Sequence, residues 1–228
     1  MSVSIDTVYQ RVLGILNKEQ RGYVTPQEFN LFANQAQLDL FEQYFYDINQ
    51  FGRISGNDTE YSDMLNILNE KINLFEKTGD MQYSNGYWVA PSDLYRIGTI
   101  IYDNKEAERI KANEFLYINA SPLTKPKNSR PIFVANSNGY KVYGDAELTS
   151  GVKCNYIKKP AKVEWKYQMV FGEALYDSTY SVDFELHASE ETELVLKILQ
   201  LSGMMINDVG VYQVFDKEEN EKIQQEKS

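Results

Sequence analysis

The sequence predicts an α+β protein, a helical bundle interrupted by an inserted antiparallel β domain. Three observations carry this. Apolar residues recur at helical spacing from residue 4 to Lys77, and short apolar runs broken by turn formers fill Met81 to Leu186. Helical spacing then returns after Ser189. The 228 residues accordingly divide into a helical hairpin plus partner helix over 1–80, an antiparallel β insert over 81–186, and a C-terminal helix with a polar tail over 187–228.

A first helix is expected over 4–17, with Ile5, Val8, Tyr9, Val12, Leu13 and Leu16 on one face. Asn17 to Tyr23 links it to the organising helix, so the two form an αα-hairpin. The second helix has every start signal: Thr25 as N-cap, Pro26 at the first helical position and Glu28 closing a capping box. Val24 and Phe29 can staple its entry. Phe29, Ala33, Ala36, Leu40 and Tyr44 form one apolar line, and Leu31, Leu38, Phe41 and Phe45 form a second. A helix apolar on two faces is either sunk in its own bundle or meets another subunit.

The same stretch imitates a calcium loop over Asn17 to Glu28, with Gly22 at the sixth position and Val24 and Glu28 in register. The ligands would be Asn17, Glu19 and Arg21. A guanidinium repels the cation, and Glu28 is engaged by the capping box, so no calcium site is expected.

Ile48 to Asp58 is rich in turn formers. A third helix follows over Glu60 to Lys77, with Tyr61, Leu65, Leu68, Ile72 and Phe75 on a narrow seam and Gly79 as its C′ residue. Strands are expected over Tyr87 to Val89 and Leu94 to Tyr102, with Ala107 to Ile110 as a return strand. Ala112 to Ile118 reads as a short helix. The loop to Pro131 carries Lys125, Lys127 and Arg130, a basic spot suited to phosphate or an acidic neighbour, or simply to solvent. Pro131 to Ala135 and Tyr140 to Tyr143 flank a hairpin signal at Asn136 to Gly139. Val152 to Lys158 and Val163 to Trp165 are extended, 167–181 reads as irregular, and Val182 to Leu186 alternates. Ser189 caps the last helix, Glu190, Glu191 and Glu193 complement its dipole, and Leu194, Ile198, Leu201 and Met205 line one face, with Val195 and Leu199 beside them. From Asp216 the chain is almost purely polar, a tail expected to order only on a partner.

Composition narrows the function. The net charge of −10 argues against gripping nucleic acid by its phosphates and suits a channel through which DNA slides. The 17 Tyr, 11 Phe and 2 Trp fit extensive interfaces or a tyrosine-rich β domain. Cys154 and His187 are the only cysteine and histidine, and no nucleophile motif surrounds a serine. Cys154 reads as a strand core residue and His187 as support for the last helix. No catalytic residue, metal ligand or cofactor is expected, nor an enzyme. No apolar run reaches membrane-spanning length and no signal peptide is seen, so a soluble protein made in a reducing cytoplasm is expected.

Four runs carry a family resemblance: Arg21 to Asp47 (RGYVTPQEFNLFANQAQLDLFEQYFYD), Trp88 to Arg96 (WVAPSDLYR), Asn155 to Pro160 (NYIKKP) and Asp183 to Val195 (DFELHASEETELV). In their order, they resemble neck and tail ring proteins of crAss-like phages, of the head–tail connector and adaptor kind. The resemblance implies a virion structural protein, made in the bacterial host cytoplasm, that stacks below the portal as a homo-oligomeric ring, commonly of twelve copies. Its partners would be the portal and adjacent tail rings, with genomic DNA passing through unbound. It implies no catalytic residues. The alternative from another class is a ligand-binding module without catalysis, whose β insert presents Trp88, Trp165 and Tyr143 to a sugar or peptide.

Overall fold

The computed structural model describes residues 2–18, 24–51 and 59–205. The link over 19–23, the loop over 52–58 and the polar tail from Asp216 lie outside the described residues. The chain begins with β1 (Ser2–Val3), α1 (Ile5–Lys18), α2 (Pro26–Phe51) and α3 (Thr59–Asn73). There follow β2 (Glu76–Asp80), β3 (Gln82–Ser84), β4 (Tyr87–Val89), β5 (Leu94–Tyr102), β6 (Lys105–Glu106), β7 (Glu108–Ile110) and α4 (Ala112–Ala120). Next come β8 (Ile132–Asn136), β9 (Gly139–Tyr143), β10 (Val152–Lys158), β11 (Tyr167–Val170), β12 (Glu173–Tyr176) and β13 (Phe184–His187). A single 3₁₀ turn, Ala188–Glu190, leads into α5 (Glu191–Met205). The class is α+β.

The chain divides into two units, one of residues 1–74 with 160–228 and one of 75–159. The first gathers the long helices. The capping box that opens α2 is formed: Thr25 N donates to Glu28 Oε2 at 2.9 Å, and Glu28 N donates to Thr25 Oγ1 at 3.3 Å. The Thr25 hydroxyl also donates to Glu28 Oε2, at 2.7 Å, and the backbone and hydroxyl donors of Thr25 together hold the Glu28 carboxyl below its usual range. The inner line of α2 (Phe29, Ala33, Ala36, Leu40 and Tyr44) is buried. Its outer line is graded: Phe41 is buried, Leu38 and Phe45 are half-buried, and Leu31 is exposed. Helix α5 packs on α1 and α2 through Leu194, Val195, Ile198 and Leu199, and α3 also packs on α2. Lys71 pairs with the buried Glu190 at 2.6 Å, and its ammonium lies 5.4 Å from the Tyr44 ring centroid.

A polar stripe runs along α2 beside these apolar faces. Asn30 donates from Nδ2 to Trp165 O at 3.2 Å and accepts from Trp165 N at 2.7 Å. Asn34 does the same for Val163, at 2.8 and 3.1 Å. Gln37 donates to Ala161 O at 2.8 Å and accepts from Glu185 N at 3.2 Å. Four helical residues advance about 6 Å, close to the ~6.6 Å of two strand residues, so amides at 30 and 34 meet alternate residues of an extended chain. The helix thus pairs with this segment as a neighbouring strand would.

That pairing corrects the expected domain limits. Residues 160–186 belong with the helices, because α2 side chains satisfy their backbone, and the insert ends at Lys159. The stretch over 167–181 is also not irregular, since β11 and β12 form an antiparallel hairpin within it.

The second unit contains two sheets, β2-β10-β5-β6 and β3-β4-β9-β8-β7. Its largest core cluster includes Met81, Trp88, Ile100, Phe133, Val142 and Cys154. A smaller cluster of Ile110, Ile132 and Val134 is covered by Phe115 and Ile118 of α4. The hairpin signal at Asn136 to Gly139 is realised between β8 and β9. Gly139 has φ +136°, and a Cβ there would stand 2.6 Å from Trp88 O, so the close approach of β4 requires glycine.

Three expectations fail here. The third helix stops at Asn73, and Glu76–Asp80 becomes strand β2 because its backbone pairs with β10, so Gly79 is a strand residue. The expected return strand is split: Lys105–Glu106 turns back on β5, while Glu108–Ile110 crosses to the other sheet. There it pairs with β8 in parallel, so the insert is mixed rather than wholly antiparallel.

Candidate functional site

The first unit contains a groove of about 740 Å³. Its walls are one face of α1, the first turn of α2, and the β11–β12 hairpin. Trp165 forms the floor. Its indole Nε1 donates to Asp6 Oδ1 at 3.0 Å, and Tyr9 meets its ring at 4.5 Å, tilted by 53°. Tyr167 and Tyr176 are direct cross-strand partners, and both rings lie near-parallel to the indole at 5.7 Å. Asn30 fixes the Trp165 backbone on both sides of its peptide unit, so the floor is anchored by the side chain and the main chain together.

The groove's chemistry is that of contact. Among the described residues, Asp6 and Glu173 are its only carboxylates, and no histidine, cysteine, lysine or arginine lines it. Asp6 already accepts from the indole. Aromatic walls with an acidic margin favour a flat apolar group or one carrying positive charge. Among the described residues no three metal-ligating side chains come together.

The three aromatics expected to form one stacking face are dispersed. Trp88 is buried in the insert's main core, its Nε1 donating to Leu148 O at 2.9 Å. Tyr143 stacks on Phe115 at 4.3 Å in the smaller cluster. Trp165 belongs to the other unit. Cys154 is buried in β10, and its thiol is pushed upward by that burial and by the charges of Asp80 and Asp93, the opposite of an activated nucleophile. His187 caps the 3₁₀ turn by accepting from Ser189 N at 3.3 Å, taking the capping place expected of Ser189. In the basic loop, Arg130 pairs with Glu108 at 2.8 Å, while Lys125 and Lys127 are exposed.

No protein-family model and no curated protein matches this chain. The groove and the exposed surfaces therefore carry the functional argument by their own geometry. Sequence reading named Trp165 but missed the rest of the groove. The available signal was the helical spacing of Asn30, Asn34 and Gln37, which places three amides on one side of α2.

Proposed function

We propose that this chain is a virion structural protein of the phage neck, resembling crAss-like ring proteins, whose copies form a ring of the head–tail connector below the portal. The observation that carries the reading is the exposure of large apolar side chains at several separate places. Leu31 and Tyr46 are exposed on α2, Leu116 and Tyr117 on α4, Leu123 in the following loop, and Phe171 at a hairpin tip. Scattered single exposures such as Leu31 are ordinary, but adjoining ones such as Leu116 with Tyr117, and Met169 to Phe171, mark contact surfaces. A ring subunit has lateral neighbours on two sides and further proteins above and below, so it needs several such surfaces.

Two further features support the reading. The α2 helix buries one line and leaves part of its other line open, as a helix shared between a protomer core and a neighbour would. The net charge of −10 suits a conduit that does not hold the DNA passing through it. Among the described residues no helix is long and apolar enough to cross a membrane. The test is binding to purified portal complex: co-sedimentation at a fixed ratio of subunits supports the role, and failure to associate at micromolar concentrations counts against it.

The groove favours a second reading, a module that binds a flat or cationic ligand against Trp165. Its volume is within the range of small-molecule sites. Titration with neutral sugars and aromatic cations, followed by indole fluorescence, tests that reading directly.

A further inference from the structure

Two exposed apolar surfaces of this chain carry opposite charge at their margins. The first is the tip of the β11–β12 hairpin. Pairing of Val170 with Glu173 leaves Phe171-Gly172 as a two-residue turn, with φ of 53° and 88°. Such a turn follows the strand twist but normally takes asparagine, aspartate or glycine at its first position. A phenylalanine held at positive φ is strained by its own Cβ. Its side chain is also fully exposed, with Met169, Val170 and Leu175 exposed beside it. Turn chemistry and solvation both disfavour Phe171, so a contact made by its ring accounts for it. Glu173 is the charge adjoining the tip and has no ion pair among the described residues.

The second surface is the outer face of α4 with the loop behind it. Phe115 and Ile118 cover the small core cluster, which leaves Leu116 and Tyr117 on the opposite side of the helix, both exposed. Leu123 follows, 94% exposed. Lys125 and Lys127 come after it in the same loop, exposed and without an ion pair among the described residues.

We propose that the hairpin tip of one copy docks on the α4 face of the next. Phe171 seats among Leu116, Tyr117 and Leu123, and Glu173 faces Lys125 and Lys127. Charge complementarity commits the occupant to a second copy of this chain, because one acidic-edged and one basic-edged apolar surface occur on each protomer. The two surfaces differ, so the contact is head-to-tail and propagates from copy to copy until it closes. This rests on the ring reading above and names its lateral contact.

The experiment compares the assembly mass of the full chain with those of Phe171→Gly, Leu116→Ser and Glu173→Lys variants. Phe171→Gly removes the ring and relieves the positive-φ strain, so the two readouts move in opposite directions. Its thermal midpoint, measured below the assembly concentration, rises above wild type, while association weakens roughly tenfold or more. Leu116→Ser changes an exposed side chain and weakens association likewise. Glu173→Lys weakens it, and combining that change with Lys125→Glu and Lys127→Glu restores it. A mixture of Phe171→Gly and Leu116→Ser chains, each keeping one intact surface, gives dimers and no rings. Rings formed equally well by wild type and variants overturn this contact and leave the ring reading standing. A wild type that remains monomeric, alone and with portal, overturns both.

Discussion

At the scale of single residues, Asn34 shows how much one side chain can hold in this protein. Its amide donates to Val163 O and accepts from Val163 N, so both polar groups of one peptide residue depend on it. Replacing Asn34 by leucine leaves both without a partner in a part-buried place, and each orphan costs about 1–3 kcal/mol. A loss of about 2–4 kcal/mol in denaturant unfolding is expected, and a loss under about 0.5 kcal/mol would show that water replaces the amide. Tyr44 presents the opposite case. Its hydroxyl is buried without a hydrogen-bond partner among the described residues, and burial, reinforced by the Glu190 and Glu193 carboxylates, pushes the phenol pKa upward. Tyr44→Phe removes that group and keeps the ring beside Lys71, so a gain of about 1 kcal/mol is expected by the same measurement. Both residues stand at helical spacing in the sequence. Tyr44 was legible as core, because an apolar line announces burial. Asn34 was not, because a polar residue on a helix ordinarily faces water, and only its partner strand gives it an inward role.

At the scale of elements, what could be read depended on whether local chemistry and tertiary pairing agreed. The start of α2 was legible because Thr25, Pro26 and Glu28 settle it within one turn. The β8–β9 hairpin was legible because Asn136 to Gly139 is turn chemistry of the usual kind. The β11–β12 hairpin was not, since Phe171 occupies a position where a turn former signals the fold. Strand β2 was hidden for a different reason: its Glu-Lys-Thr-Gly-Asp sequence reads as a helix end with Gly79 at C′, and pairing with β10 overrides it. The Trp165 groove was illegible as a site because it joins α1, α2 and a hairpin far apart in sequence. The hairpin also has a clasp. Asp177 accepts from Gln168 Nε2 at 2.7 Å and from Thr179 N at 3.0 Å, and these bonds hold its carboxyl below the ordinary aspartate value of 3.8. A depressed folded pKa contributes stability above the unfolded value that is lost as pH falls through the folded value. Asp177→Asn is therefore expected to flatten the decline of hairpin protection in hydrogen exchange as pH drops below about 4, and an unchanged decline would remove Asp177 from the account.

At the scale of the whole molecule, two units share one chain: a helical unit that recaptures residues 160–205, and a mixed β insert. The α+β class followed from the change in apolar period along the sequence, whereas the insert's limits depended on side-chain pairing that no period reveals. Each unit has its own exposed apolar surface, one at the hairpin tip and one on α4. An acidic protein of this size with such surfaces is well suited to assembly with copies of itself. The most direct measurement of that claim is the native mass of the purified full chain at micromolar concentration, with negative-stain images of the same sample, alone and after addition of portal. The account predicts closed rings of a single copy number in at least one of the two conditions. A chain that stays monomeric in both would contradict it.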